Sequence, residues 1–359
     1  MELLNLAEYE AAARNILPQM AFDYIDGGAD DEVTLRENRA AFARLRLRPR
    51  ILAGVGRRDL RVTLFDQTLS FPVLVAPMAF HQLVTPDGEL ATARAAGAAG
   101  TIMCVSTAAN YRLEDVAAAA TGPLWFQLYC YKDRELTRSL VDRAQVAGYR
   151  ALVLTADTPM VGRRERDIRN RFTLPPGTGW KNVEASGKRD LPQDVAGSGL
   201  AAYVASQQDA NLTWADVDWL VGISRLPVLV KGVLCAADAR LAAEHGAAGV
   251  IVSNHGGRQL DTAIATIDAL PEIAAAASES NLAVLLDGGV RRGTDVLKAL
   301  ALGAQAVLLG RPVLWGLAVG GEDGGRAVLE TLRAEFDLAM ALAGCKSLAD
   351  LNPDLVVRS

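Results

Sequence analysis

Eight short apolar runs recur along the chain, each rich in bulky or β-branched side chains and each ending in a polar or glycine-rich knot. They are FPVLVAP (71–77), TIMCVS (101–106), LWFQLY (124–129), ALVLTAD (151–157), PVLVKG (227–232), GVIVSN (249–254), AVLLDGG (283–289) and AVLLGR (306–311). Their apolar residues follow one another without polar alternation, the pattern of strands buried on both faces. Alanine-rich stretches with charges at helical spacing lie between them, among them 88–100, 112–120, 135–148, 236–246 and 293–303. Several of these finish in Gly, as helix C-termini prefer. Strand then helix, eight times over, predicts an α/β protein with a parallel (β/α)8 TIM barrel. An open doubly wound sheet is the alternative, and eight units with no strong break favour closure.

Two regions stand outside the repeat. Residues 1–70 contain helical stretches (LAEYEAAARNIL, DEVTLRENRAAFARL) and are expected to form an N-terminal cap over one end of the barrel. Residues 71–320 then make the barrel and 321–359 a C-terminal helical segment of the same single domain, 1–359. The segment 174–215, rich in Gly, Pro, Ser and Asn, follows the fourth strand and is too long for an ordinary connection. It reads as a lid, an insertion or a disordered loop.

Composition narrows the class. The 359 residues are 50% hydrophobic and 22% charged, too apolar for a disordered chain. With 37 Lys+Arg against 42 Asp+Glu the net charge is −5, which argues against a nucleic-acid binder. The longest uncharged stretch, Gln67 to Pro86, is broken by Pro72, Pro77 and Pro86, so no spanning helix is expected there. MELLNLAEYE carries acids where an export signal needs a basic region, and the four cysteines form no C-x-x-C pair. A cytoplasmic protein with reduced thiols and no metal site is expected.

In such barrels the active site lies at the C-terminal ends of the strands. The residues there are Pro77, Met78 and Ala79; Ser106; Gln127 and Tyr129; Thr155 and Asp157; Lys231; Ser253, Asn254 and His255; Asp287 to Arg291; and Gly310 with Arg311. Nearly every strand thus ends in polar chemistry. DGGVRRG opens a helix, so backbone N–H groups beside Gly288 and Gly289 can hold an anion at a positive helix end. LLGR repeats the theme, with Arg311 as a forked donor. The plainer alternative is that these glycines only turn the chain. Lys231, at the end of an apolar strand, either snorkels to the rim or serves as a Schiff-base amine or a fixed charge against a cofactor. In SNHGGRQLD a histidine precedes two glycines and Arg258, placing a base beside a carboxylate fork, as 2-hydroxy-acid chemistry requires. Asp157 could orient that base. His245 reads as a helix end and His81 as a rim residue. Of the arginines between 163 and 171, most read as a surface salt-bridge network, and at least one could enter the site.

With these residues assembled, the sequence closely resembles the FMN-dependent 2-hydroxy-acid oxidase/dehydrogenase family. That family includes glycolate oxidase, lactate oxidase, hydroxymandelate oxidase, mandelate dehydrogenase and the flavocytochrome lactate dehydrogenases. The likeness runs over nearly the whole chain, and its most specific motifs are SNHGGRQLD, FQLY, TADTP-x-x-GRRE-x-D-x-RN and DGGVRRGTDVLKALALGA. The resemblance implies FMN as cofactor and His255 as the base, with Asp157 its partner. It implies that Arg164 and Arg258 bind the substrate carboxylate and that Tyr24 and Tyr129 hydrogen-bond carboxylate and hydroxyl. Lys231 would lie against the flavin pyrimidine edge. Pro77, Met78, Ala79, Ser106, Gln127, Tyr129, Thr155 and Ser253 would line the flavin site. Asp287, Gly288, Gly289, Val290, Arg291, Gly310 and Arg311 would hold its ribityl chain and phosphate.

The departures from the family pattern bear on specificity. Ile25 follows Tyr24 where a second tyrosine is common; Ala108 stands where glycolate oxidases carry Trp; Val161 replaces a larger Leu; Met78 is lactate-oxidase-like. A wider pocket is expected, favouring lactate or a larger 2-hydroxy acid such as mandelate over glycolate. Ala79, the absence of a haem domain before residue 1 and the lack of a long apolar insert in 174–215 lead us to expect an oxidase that reduces O2 to H2O2. Family likeness implies a homotetramer. A dehydrogenase passing electrons to a quinone or another acceptor, and a Schiff-base aldolase using Lys231, are the alternatives.

Overall fold

The computed structural model describes residues 3–184 and 199–358, so the central part of the 174–215 segment lies outside the described residues. Three helices come first: α1 (Leu6–Ile16), α2 (Gln19–Asp26) and α3 (Val33–Ala43). The short strand β1 (Leu45–Leu47) and an antiparallel hairpin, β2 (Val62–Leu64) with β3 (Gln67–Leu69), follow. The eight apolar runs then supply eight parallel strands: β4 (Val73–Val75), β5 (Met103–Ser106), β6 (Leu124–Leu128), β7 (Leu152–Thr155), β8 (Val228–Val233), β9 (Gly249–Val252), β10 (Ala283–Leu286) and β11 (Ala306–Leu309). Pairing of β11 with β4 closes the ring, with Val307 opposite Val73 and Leu309 opposite Val75. The architecture is a (β/α)8 barrel.

The helices between and after these strands are α4 (Gly88–Ala98), α5 (Leu113–Ala119), α6 (Arg134–Val146), α7 (Glu165–Arg169), α8 (Gly199–Gln207), α9 (Trp214–Ile223), α10 (Ala236–Glu244), α11 (Thr266–Ser278), α12 (Gly293–Ala301) and α13 (Arg311–Ala343). A last strand, β12 (Val356–Arg358), pairs with β1. Helix α13 leaves helical geometry at Gly320 and Gly321. No helix among the described residues is long and apolar enough to cross a membrane.

Why the strands read as unbroken apolar runs is visible in their side chains. Odd and even positions belong to two separate cores. Val73, Val75, Val105, Phe126, Leu154, Val250, Leu286 and Val307 face the helices. Leu74, Cys104, Trp125, Val153, Leu229, Ile251, Leu285 and Leu308 fill the barrel interior. Period-two alternation persists, but both faces are apolar.

Where the sequence predicts that residues 1–70 cover one end, the structure divides them between both. Leu64 and Leu69 of the hairpin join the interior core, and the Trp125 indole N–H donates to Gln67 Oε1 at 3.1 Å, so β2–β3 stoppers the base. Helix α2 lies at the opposite mouth, where Tyr24 and Ile25 line the pocket described next.

Candidate active site

Two residues beyond each interior apolar position, the alternation brings the next inward position: Ala76, Ser106, Gln127, Thr155, Lys231, Ser253, Asp287 and Gly310. The inner wall therefore changes from a closed apolar layer to a polar or small one within a single step along every strand. Gln127 Nε2 donates to Thr155 Oγ1 at 2.9 Å and Ser106 Oγ to Gln127 Oε1 at 3.1 Å, an interlocked polar set just below the mouth. Above it opens a cavity walled by residues from the ends of most of the strands and from α2, the kind of concave, partly apolar site in which small molecules bind.

The loop after β9 carries the sharpest geometry. His255, Gly256 and Gly257 all have positive φ (58°, 66° and 75°), a left-handed turn that folds the imidazole over the mouth. A Cβ at Gly257 would stand 2.6 Å from the Leu35 backbone nitrogen, so this close approach to α3 needs glycine. Asn254 holds the turn from below through a reciprocal amide pair with Asn38, each bond 2.8 Å. His255 Nδ1 lies 2.9 Å from Asp157 Oδ1, which leaves Nε2 as the free ring nitrogen. Burial lowers the His255 pKa, with Lys231 and Arg164 adding to the effect, and Asp157 only partly opposes it. Burial works against charge on Asp157, but His255 and Lys231 outweigh it and hold its pKa below the usual carboxylate value. A neutral base beside an ionised carboxylate is the result.

Positive charge crowds the pocket. Its lining includes Arg164, Lys231, Arg258, Arg291 and Arg311, with Asp287 the one carboxylate among them. Burial, aided by Arg258, pushes the guanidinium of Arg164 down to about 10 and that of Arg311 down to about 9. Burial and Arg39 bring Arg291 down to about 10, and its Nε is buried with no partner. Such a cluster is complete only with bound anions.

Two of these arginines also do structural work. Arg258 Nη1 donates to the carbonyls of Tyr24 (2.7 Å), Ile25 (3.3 Å) and Gly27 (2.9 Å), and Arg311 donates to Ile25 and Gly27, each at 3.0 Å. These carbonyls end α2, so the cations meet its negative pole and fix Tyr24 at the mouth. Burial raises the phenol pKa of both Tyr24 and Tyr129, which keeps them as protonated donors.

Lys231 does not snorkel. It is buried, donates to Ser253 Oγ at 2.7 Å and pairs with Asp287 Oδ2 at 3.1 Å. Burial works against its charge, but Asp287 and Asp157 outweigh burial and hold its pKa above the ordinary value. Asp287 Oδ1 remains buried without a partner. Beside it Gly288 and Gly289 take positive φ (93° and 87°), and a Cβ at Gly289 would fall 2.0 Å from the Asn38 carbonyl oxygen.

Of the residues singled out in the sequence, Tyr24, Pro77, Met78, Ala79, Ser106, Tyr129, Arg164, Lys231, His255, Arg258, Asp287, Gly288, Gly289, Val290, Arg291, Gly310 and Arg311 line this cavity. Gln127, Thr155, Ser253 and Asp157 stand behind that lining and hydrogen-bond to its members or to one another. In the arginine-rich segment only Arg164 turns inward; Arg166 bridges Asp26 (3.3 Å) and Glu32 (2.6 Å), and Arg169 pairs with Glu165. His81 is not a rim residue. It is fully buried, with Nδ1 2.7 Å from Thr92 Oγ1, and contributes nothing to the cavity wall. His245 ends α10 and faces Asp218 at 2.9 Å.

Several residues of the site escape the sequence reading. Gln259 ties the carbonyls of Asp157 and Met160, each at 2.8 Å, to the histidine loop. Asn38 comes from α3, and Trp180, Val204 and Gln208 come from the flanks of the long segment after β7. The Q of GGRQLD was an available signal; the others have no local signature.

Comparison with known proteins identifies the family and the fold. The family described as FMN-dependent dehydrogenase matches residues 13–358. Glycolate oxidase 5 of Oryza sativa subsp. japonica is 55% identical over 358 residues, covering 99% of this chain and 96% of that protein. L-lactate oxidase of Nostoc sp. is 53% identical over 353 residues, covering 97% and 96%. Among solved structures, mandelate oxidase with (S)-4-hydroxymandelic acid superposes with a TM-score of 0.94 at 42% identity, covering 99% of this chain and 98% of that one. A closed eight-stranded barrel, a His–Asp pair over a cationic pocket and near full-length identity to these relatives place the chain in the FMN-dependent 2-hydroxy-acid oxidase/dehydrogenase family.

Proposed function

We propose that the protein oxidises an (S)-2-hydroxy acid, lactate or a larger one in preference to glycolate, to the 2-oxo acid, with O2 reduced to H2O2. The observation that carries this reading is the His255–Asp157 pair at 2.9 Å above a pocket with five cations and one carboxylate. That excess suits a substrate carboxylate and a cofactor phosphate together.

The residues fit FMN. Arg291 and Arg311, the turn at Gly288 and Gly289 and the start of α13 form an anion cradle, and the unpartnered Asp287 Oδ1 is an acceptor for a ribityl hydroxyl. FMN, when bound, accepts the two electrons removed from the substrate and passes them to the acceptor. Lys231 keeps a fixed positive charge beside that site. Arg164 and Arg258 bind the substrate carboxylate, and Tyr24 and Tyr129 donate to carboxylate and hydroxyl. His255 Nε2 takes a proton from the substrate, from the hydroxyl in a hydride mechanism or from Cα in a carbanion mechanism. Asp157 steadies the imidazolium so formed.

Small side chains support the preference for substrates beyond glycolate, since Ala108 and Val161 both line the cavity. Overall identity does not decide it, at 55% to a glycolate oxidase and 53% to a lactate oxidase. A Schiff-base role for Lys231 is disfavoured, because that chemistry needs a neutral amine and Asp287 holds this one charged. Oxidase and dehydrogenase are separated by one experiment: bleach the flavin anaerobically with lactate, then admit air. Rapid return of colour with stoichiometric H2O2 supports the oxidase, and slow return that a quinone accelerates supports the dehydrogenase. A homotetramer in the cytoplasm completes the proposal and is checked by light scattering and cell fractionation.

A further inference from the structure

Five aromatic rings form a continuous arc at the mouth. Phe172 stacks on Tyr24 (centroids 4.3 Å apart), Tyr24 meets Phe80 (5.8 Å), Phe80 meets Trp180 (5.8 Å) and Trp180 meets Tyr203 (4.5 Å). Tyr24, Phe80 and Trp180 line the cavity itself. Trp180 stands beside the small residues after β5, for the Phe80 N–H donates to the Ala108 carbonyl at 3.3 Å and the Lys181 N–H to the Ala109 carbonyl at 3.2 Å. Ala108 and Trp180 line the same cavity.

From this arrangement we infer that Trp180 is a specificity-determining residue, giving the pocket an aromatic wall for 2-hydroxy acids whose side chain is an aryl ring. The inference deepens the function proposed above and rests on it. Two independent observations carry it. Ring spacings of 4.3–5.8 Å along the arc fall in the range where offset and edge-to-face contacts are favourable, and three of its rings line the cavity, so a substrate ring that reaches them extends an existing aromatic cluster. The Trp180 side chain is also an odd choice for the fold alone. It is 2% exposed and its Nε1–H has no partner among the described residues, whereas phenylalanine or leucine would pack without a stranded donor. A phenyl ring can make such aromatic contacts and the methyl group of lactate cannot.

The test uses the FMN-loaded enzyme and compares anaerobic bleaching by (S)-mandelate and (S)-lactate in wild type, Trp180→Leu and Trp180→Phe, each checked for retained flavin absorbance. Trp180→Leu should lower the mandelate-to-lactate ratio of bleaching efficiency about tenfold, and Trp180→Phe, which keeps a ring, should lower it far less. Benzoylformate and pyruvate, titrated by their perturbation of the flavin spectrum, should show the same shift in affinity ratio. A Trp180→Leu enzyme that lactate bleaches and whose two ratios match wild type would overturn the inference while leaving the proposed function intact. A wild-type flavin that no 2-hydroxy acid bleaches would remove both.

Discussion

The carboxylate of Asp157 reaches the imidazole of His255 across an intervening strand. Asp157 follows β7 and His255 follows β9, yet Oδ1 and Nδ1 lie 2.9 Å apart. Gly232, on β8 between them, makes this possible. Its φ is +113°, and a Cβ there would fall 2.6 Å from the Asp157 Cβ. The missing side chain of one strand is the path by which its neighbours meet.

Gly232→Ala should therefore displace Asp157 and slow anaerobic bleaching, approaching the effect of Asp157→Ala, which we expect to be about 10²–10⁴-fold. Stopped-flow traces of both variants check this. An alanine enzyme with the wild-type rate would show that the pair does not need the gap.

The state of His255 fixes a pH profile. Its pKa lies below the ordinary 6.5, lowered chiefly by burial, so the proton-accepting form predominates at neutral pH. Bleaching rate should rise with pH through a midpoint under 6.5 and be level above it, and His255→Ala should remove both the rate and the inflection while keeping FMN. A midpoint above neutrality would contradict the assignment.

Arg164 and Arg258 should differ when replaced by methionine. Each variant should weaken pyruvate binding by roughly 10- to 150-fold, the worth of a hydrogen bond to a charged group. Arg258→Met should in addition lower the thermal midpoint, because it abandons three carbonyls at the end of α2, whereas Arg164 makes one long bond, 3.4 Å, to the Arg258 carbonyl. Melting curves and spectral titrations separate the two effects.

Lys231→Met strands Asp287 without its cation in a buried place and should cost about 3–5 kcal/mol of stability. The double variant Lys231→Met/Asp287→Leu should recover much of that loss and yet bleach slowly. Recovery of both stability and rate would leave Lys231 with a purely structural role.

Much of this was legible in the sequence because the barrel has two apolar layers. Residues such as Leu229 and Val230 face different cores, so the run reads as continuous, and the first inward polar residue after it, Lys231, announces the site. Contacts between distant segments left no such trace. Asn38 and Asn254 pair across 216 positions; Asn254 sits inside SNHGGRQLD, but Asn38 belongs to no local pattern that marks it. Trp180 lies in a Gly- and Pro-rich stretch, where composition speaks for a loop and conceals a wall. The β2–β3 hairpin hid for another reason. Its two turn residues, Phe65 and Asp66, both have positive φ (45° and 63°), a conformation ordinarily advertised by Asn-Gly or Asp-Gly. Here the Phe65 ring, 5.7 Å from that of Trp125, packs beneath the barrel.

That stoppered base makes the cylinder a flask with one neck. Under the proposed function, a hydroxy acid and its keto product would both use the end of the barrel that Tyr24 and Trp180 line. Reactant and product would thus be rivals for a single berth, and traffic through the enzyme would run in alternation.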